Sequence, residues 1–231
     1  MKIKILKKLI RQLYTKNDKN YISGTIIQNL LQNGVYLPIT NSSPSLNSLK
    51  LLMNDVVINK RKMILEFGSG ISTILFSRLL YKNNINGTIV SIDNDNDWIQ
   101  TLKDILKKDG LINYVEFIHA PLCQNSNIKS LNNLLWYDEK ILNNHIRDKK
   151  FDLVFVDGPV AYKKNIELSR YPALPFIYKN LNKNFSFFLD DVDRNGEKKI
   201  LSLWEKEYKT KFKILNKKLG LSSQGDLYNI F

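Results

Sequence analysis

A chain of 231 residues, 43% of them hydrophobic, can bury one substantial core, while its single cysteine, Cys123, excludes an internal disulfide and a Cys/His-built zinc site. The net charge is +13, yet only six of the 35 cations are Arg, so the excess reads as lysine-rich solubility and a nucleic-acid partner is not expected. No apolar run approaches the roughly 20 residues of a membrane span, and the expected setting is the reducing cytoplasm.

The N-terminus shows no signal-peptide h-region. Ile3, Leu6, Leu9, Ile10, Leu13 and Tyr14 share one helical face, and Lys4, Lys7, Lys8 and Arg11 occupy the other. A basic amphipathic helix over residues 1–16 has two readings: peripheral contact with an anionic membrane, or packing against the domain or a second copy, as in a homodimer. Residues 1–58 read as a helical N-terminal extension that includes the connection LPITNSSPS; residues 59–231 read as the main domain.

From residue 60 short apolar runs alternate with amphipathic stretches. Strands are predicted at Met63–Phe67, Thr88–Asp93, Val115–Ala120, Phe151–Asp157 and Phe185–Asp190, and helices at 71–82, 97–108, 163–181 and 195–209. KFKILN (211–216) and DLYNIF (226–231) flank a Gly/Ser stretch and are predicted to pair antiparallel. The expected fold is α/β: a Rossmann-like, doubly wound sheet of seven strands, five parallel and two in a C-terminal hairpin. Ligands of such sheets bind beyond the carboxyl ends of the strands. Those ends are Glu66–Gly70, Asp93, His119–Ala120, Asp157–Gly158 and Asp190–Asp191. Four of the five carry carboxylates.

The turn MILEFGSGIST departs from the dinucleotide pattern G-x-G-x-x-G, because the third glycine position holds Thr73 and Glu66 precedes the first glycine. A carboxylate would repel a pyrophosphate and attract a cation. Gly68 and Gly70 allow close approach of a ligand. Asp93 is placed to accept from both ribose hydroxyls, or else to cap a turn in DNDND.

ILEFGSGIST, GTIVSID, FDLVFVDGP and FFLDD together resemble the class I S-adenosylmethionine-dependent methyltransferases over about residues 35–231. The resemblance implies that Glu66, Gly68, Ser69 and Gly70 line the methionine side of the cofactor. It places Ser72 where many members have a third glycine, gives Asp93 the ribose, and sets His119 and Ala120 beside the adenine. His119 reads equally well as a strand-end residue bonded to backbone.

The methyl acceptor has to be argued from the site. The Asn/Asp-Pro-Pro-aromatic motif of the base N-methylating branches is replaced by VDGPVAY, and Cys123 in HAPLC lacks the Pro-Cys order of the cytosine-carbon branch, reading instead as a buried cysteine. Asp157, Asp190 and Asp191 would repel one another unless a positive group sits among them. The trio is similar to that of metal-dependent O-methyltransferases, which implies Mg²⁺ or a similar divalent cation on these residues, with Asp157 in both the cofactor pocket and the catalytic step. The alternative is that Asp157 caps a turn while Asp190 or Asp191 pairs with Arg170 or Arg194. Likeness to catechol-type relatives, which carry a lysine a few residues after the fourth-strand Asp, makes Lys163 in YKKN the candidate general base, at an offset spacing; the alternative is an ordinary solvated lysine. Arg170 and Tyr171, ahead of Pro172 and Pro175, are candidates to grip a sugar, phosphate or carboxylate, or else form an outward helix surface. SRYPALPFIYKNL and LDDVDR resemble methyltransferases of bacterial surface glycans, which implies O-methylation of a sugar in a polysaccharide or glycolipid intermediate. An RNA methyltransferase and a non-enzymatic cofactor-fold binding protein remain the alternatives.

Overall fold

The computed structural model describes residues 21–32, 34–37, 39–124 and 134–231. The basic helix expected over residues 1–16 lies outside the described residues. Residues 21–32 are helical (α1), and the chain continues through α2 (Leu46–Ile58), β1 (Met63–Phe67), α3 (Ile71–Lys82), β2 (Thr88–Asp93), α4 (Asn96–Lys108) and β3 (Val115–His119). Next come β4 (Leu122–Gln124), β5 (Leu135–Tyr137), α5 (Glu139–Ile146) and β6 (Phe151–Val156). The last elements are α6 (Ala173–Ile177), β7 (Leu181–Leu189), α7 (Asn195–Tyr208), β8 (Lys213–Leu215) and β9 (Leu219–Gln224).

The main sheet has the order β3-β2-β1-β6-β7-β9-β8. The first five are parallel, and β9 pairs antiparallel with both β7 and β8. This is the expected seven-stranded Rossmann-like sheet. Alternation along the strands divides the core into two layers. Ile64, Ile89, Leu153 and Phe155 face the layer built with α1, α2 and α3, whereas Leu65, Phe67, Val90, Val154 and Val156 face the layer of α5, α6 and α7. Strands buried on both sides explain why the sequence shows continuous apolar runs here rather than alternation.

Three expectations change. The helix predicted over 163–181 is reduced to α6 and one 3₁₀ turn, preceded by turns. Pro172 disfavours helical conformation at Tyr171, and Arg170 turns inward instead of joining a helix surface. The hairpin's second strand is Leu219–Gln224, not 226–231. Its turn is Asn216-Lys217, both at positive φ, with the Asn216 side chain accepting from the N–H of Lys218 and of Leu219. Gly220 belongs to the strand, paired with Leu189 and Ile214, and glycine suits the position because a Cβ there would stand 3.1 Å from Val192 Cγ1. Finally, Cys123 is exposed on β4, in a small β4–β5 ribbon with no periodicity long enough to announce it.

Below the amino ends of the strands, Arg61 and Asp55 form a fully buried pair at 3.0 Å. Arg61 also donates to Ser186 Oγ at 2.7 Å and to the Asn184 carbonyl at 3.1 Å, locking α2 to β7. Arg61→Met leaves Asp55 charged without a counter-ion and is expected to cost about 3–5 kcal/mol. Urea unfolding checks this, and Asp55→Leu/Arg61→Met should recover much of the loss. Among the described residues, no helix is long and apolar enough to cross a membrane.

Candidate functional site

The turn after β1 answers why an acid precedes the glycines. Glu66 lies on the α3 face of β1 and is completely buried. Its Oε2 accepts from the hydroxyl of Thr73 on α3 and from Ser91 Oγ on β2, the latter at 2.8 Å. Thr73 Oγ1 in turn accepts from the N–H of Gly70 at 2.9 Å. The residue that replaces the dinucleotide glycine thus ties the acid beneath the turn. Burial raises the Glu66 carboxyl from 4.5 to about 7, opposed in part by these hydroxyl donors. The folded chain therefore holds this proton more tightly than the unfolded chain. Stability is greatest at the acid end and falls as pH rises from 4.5 to about 7, by on the order of 3 kcal/mol, and is flat with respect to this group above that. Glu66→Gln should remove that slope, as measured by denaturant midpoints on either side of the window.

The two glycines have different tasks. Gly68 has φ +94°, and a Cβ on it would stand 2.6 Å from the backbone nitrogen of Gly158. The two loops cross at backbone contact, with Gly158 N–H donating to the Phe67 carbonyl at 2.7 Å. Gly68 therefore serves this crossing rather than a ligand. A Cβ on Gly70 would meet nothing within 4 Å, so the open side of the turn is at Gly70. Ser69 N–H donates to Asp93 Oδ2 at 2.8 Å, and the Trp98 indole donates to the Ser69 carbonyl at 2.8 Å. Asp93 Oδ1 takes the Asp95 N–H at 2.9 Å. Each Asp93 oxygen keeps a further lone pair for a ligand, and burial raises this carboxyl above its ordinary value.

His119 stands beside Asp93 in the register of β2 and β3. Its Nε2 contacts the Asn94 carbonyl at 3.2 Å and the ring is exposed. Ala120 is buried, with its N–H on the Asp93 carbonyl. Ser72 is buried in the first turn of α3.

A cleft of about 200 Å³ opens against this turn. Its walls include Ser69, Gly70 and Ser72, Trp98 of α4, Thr40, Ser42 and Ser43 of the connection before α2, and Asp157 beyond β6. The glycine turn and one of the three predicted carboxylates thus share a cavity.

Asp157, Asp190 and Asp191 are brought together, each offering an oxygen within 4.8 Å of the others. The group among them is Arg170, which is 4% exposed. It donates to Asp157 Oδ1 at 3.2 Å and to Asp191 Oδ2 at 3.3 Å, and approaches Glu197 at 3.7 Å. It also donates to the carbonyls of Pro159, Asp190 and Asp157. Arg194 pairs with Asp191 at 2.8 Å from the exposed side. Burial pushes the Asp157 carboxyl well up, against Arg170, with Asp190 and Asp191 adding to the rise. Burial and Asp191 push Asp190 up to about 6.

Lys163 lies in the exposed turn 162–165, and among the described contacts none joins its side chain to these carboxylates. Tyr171 is neither at a cavity mouth nor on an outward surface. It is buried with its ring on Trp204 and its hydroxyl on Glu207, while the Trp204 indole donates to its carbonyl at 2.9 Å. Ser91, Trp98 and Glu197 were not legible as site residues. Ser91 was detectable in principle as a polar residue inside the apolar run TIVSID.

A family model described as "Methyltransferase domain" matches residues 65–206. No curated protein matches the sequence. Among solved structures, the chain is similar to the SAH-bound methyltransferase PaMTH1 of Podospora anserina, with 15% identity, TM-score 0.59, and coverage of 89% of this chain and 96% of that one. It is similar to the O-methyltransferase TomG of Streptomyces achromogenes in complex with SAM, with 16% identity, TM-score 0.56 and 90% of each chain covered. It is also similar to an O-methyltransferase from Bacillus cereus in complex with SAH, with 16% identity, TM-score 0.55, and coverage of 92% of this chain and 91% of that one.

Proposed function

Since the chain belongs to the methyltransferase-domain family, we propose that it is an S-adenosylmethionine-dependent O-methyltransferase acting on a hydroxyl of a sugar in a polysaccharide or glycolipid intermediate. The observation that carries this reading is the shared cleft, which Gly70, open on one side, and Asp157 line together. The residues fit the nucleoside: Gly70 leaves room at the turn, and Asp93 retains acceptors for two ribose hydroxyls. Glu66 supports the turn from beneath. When bound, the cofactor supplies an electrophilic methyl on a sulfonium.

The chain's part is to orient the acceptor and take its proton. Arg170 holds Asp157 Oδ1, and no described donor reaches the other carboxylate oxygen, Oδ2. We assign Asp157 Oδ2 as the general base: the acceptor oxygen bonds to the methyl carbon, its proton moves to Asp157, and the carbon–sulfur bond breaks with its electron pair left on sulfur. A raised carboxyl pKa brings the base nearer to working pH. Thr40, Ser42 and Ser43 add hydroxyl groups suited to a polyol to a lining that Leu37, Ile71, Ile74 and Leu102 make largely apolar.

The family likeness implies Mg²⁺ at Asp157, Asp190 and Asp191, and an all-oxygen donor set suits a hard divalent cation. As placed, however, Arg170 nitrogens already sit on two of the three carboxylates. The proposed reaction therefore runs through no ion.

Calorimetry with S-adenosylhomocysteine, followed by a labelled-methyl screen over nucleotide sugars and lipid-linked sugars, tests the reading. Binding of the nucleoside with transfer to a sugar supports it. Indifference to the nucleoside removes it, and transfer only to RNA replaces the acceptor.

A further inference from the structure

We infer that Arg170 is the resident cation of this site, a guanidinium built in by the fold where the carboxylate trio would otherwise call for a divalent ion. The purpose of this arrangement rests on the methyl-transfer reading, but the cation assignment stands on geometry.

Arg170 is no surface side chain leaning inward. The turn that carries it crosses the start of α7 so closely that a Cβ on Gly196 would stand 2.4 Å from the Glu167 carbonyl. The next residue is clamped by Trp204 through the Tyr171 carbonyl. From this fixed base, Nη2 reaches the Asp157 carbonyl and Oδ1 beyond β6. Nη1 reaches the Asp190 carbonyl and Asp191 Oδ2 beyond β7, and Nε donates to the Pro159 carbonyl. One planar fork thus ties two neighbouring strand ends, a task suited to its fixed set of donors.

A guanidinium is not deprotonated in proteins, so it cannot make way for an ion by losing charge. Nor is it free to swing aside, because three backbone carbonyls hold it as well as the carboxylates. A divalent ion about 2.1 Å from the same oxygens would face a permanent positive charge already hydrogen-bonded to them. Arg194 at 2.8 Å and Lys218 at 4.0 Å add positive charge on the outer side of Asp191. Held this way, Arg170 acts as a positioning residue: it fixes Asp157 through Oδ1 and leaves Oδ2 to face the acceptor.

The test is Mn²⁺ titration of the full, metal-stripped chain, followed by electron paramagnetic resonance, with and without S-adenosylhomocysteine. The wild type is expected to immobilise no Mn²⁺ in either state, and millimolar Mg²⁺ should leave its melting temperature unchanged. Arg170→Met should bind one Mn²⁺ per chain and melt higher when Mg²⁺ is added. Arg170→Gln, which keeps hydrogen-bond donors without the charge, serves if the Met variant does not fold. Mn²⁺ held by the wild type and released by Asp190→Asn would overturn the assignment, as would a folded Arg170 variant that binds none. Failure to bind S-adenosylhomocysteine strikes the methyl-transfer reading instead, so the two failures are distinct.

Discussion

Asp157→Asn is expected to lower methyl transfer by about 10²–10⁴-fold, the usual contribution of a positioned general base, while leaving S-adenosylhomocysteine affinity within severalfold. The amide matches the carboxylate in shape, and its oxygen can still accept from Arg170 Nη2, now 3.2 Å from Oδ1. What it loses is the ability to take a proton. Stability should hold or rise, because one negative charge leaves a cluster in which burial and mutual repulsion already drive the Asp157 carboxyl upward. The paired control is Lys163→Met. Lys163 lies in an exposed turn, and its loss should leave transfer near wild type. Single-turnover transfer of labelled methyl to whichever sugar the screen identifies measures both variants. A large loss at Lys163 with little at Asp157 would reverse the assignment.

The second large effect separates the two glycines of the same turn. Gly68→Ala puts a side chain at φ +94° and 2.6 Å from the Gly158 backbone. Left-handed strain alone costs on the order of 1–3 kcal/mol, and the clash is with backbone, which has no rotamer to yield. A chain of this size is stable by only about 5–15 kcal/mol, so this variant should express poorly or melt far below wild type. Gly70→Ala is a different experiment. Its φ of −173° is extended backbone, and no atom lies within 4 Å of the new Cβ. Stability should change by less than about 1 kcal/mol, as expected for an N-cap glycine. If the nucleoside packs where we place it, S-adenosylhomocysteine affinity should fall at least tenfold. Calorimetry together with thermal melts reads both variants; unchanged affinity in Gly70→Ala would move the cofactor off the turn.

Much of this could be read in the linear chain. Buried parallel strands are mostly apolar on both faces, so Met63–Phe67 and Phe151–Asp157 announced themselves, and a sheet of that kind exposes its ligand groups at the carboxyl ends. Asp93, Asp157, Asp190 and Asp191 followed from that rule without coordinates. The hairpin was legible only as a pairing, and its register was not. A Gly/Ser stretch has turn composition, yet Gly220 is in a strand because it pairs with Leu189 on one side and Ile214 on the other.

Sequence by itself determined the five parallel strands, the closing antiparallel pair and the acidic rim, because hydrophobic period and strand-end chemistry are local properties of the chain; the order in which the strands lie side by side was left to the tertiary structure. Tertiary structure decided which glycine faces a ligand and which faces backbone, for Gly158 lies ninety positions from Gly68. It also decided what neutralises the rim. Nothing in SRYPALPF distinguishes an outward arginine from one driven among three carboxylates; only the crossing of that turn over α7 makes Arg170 their partner.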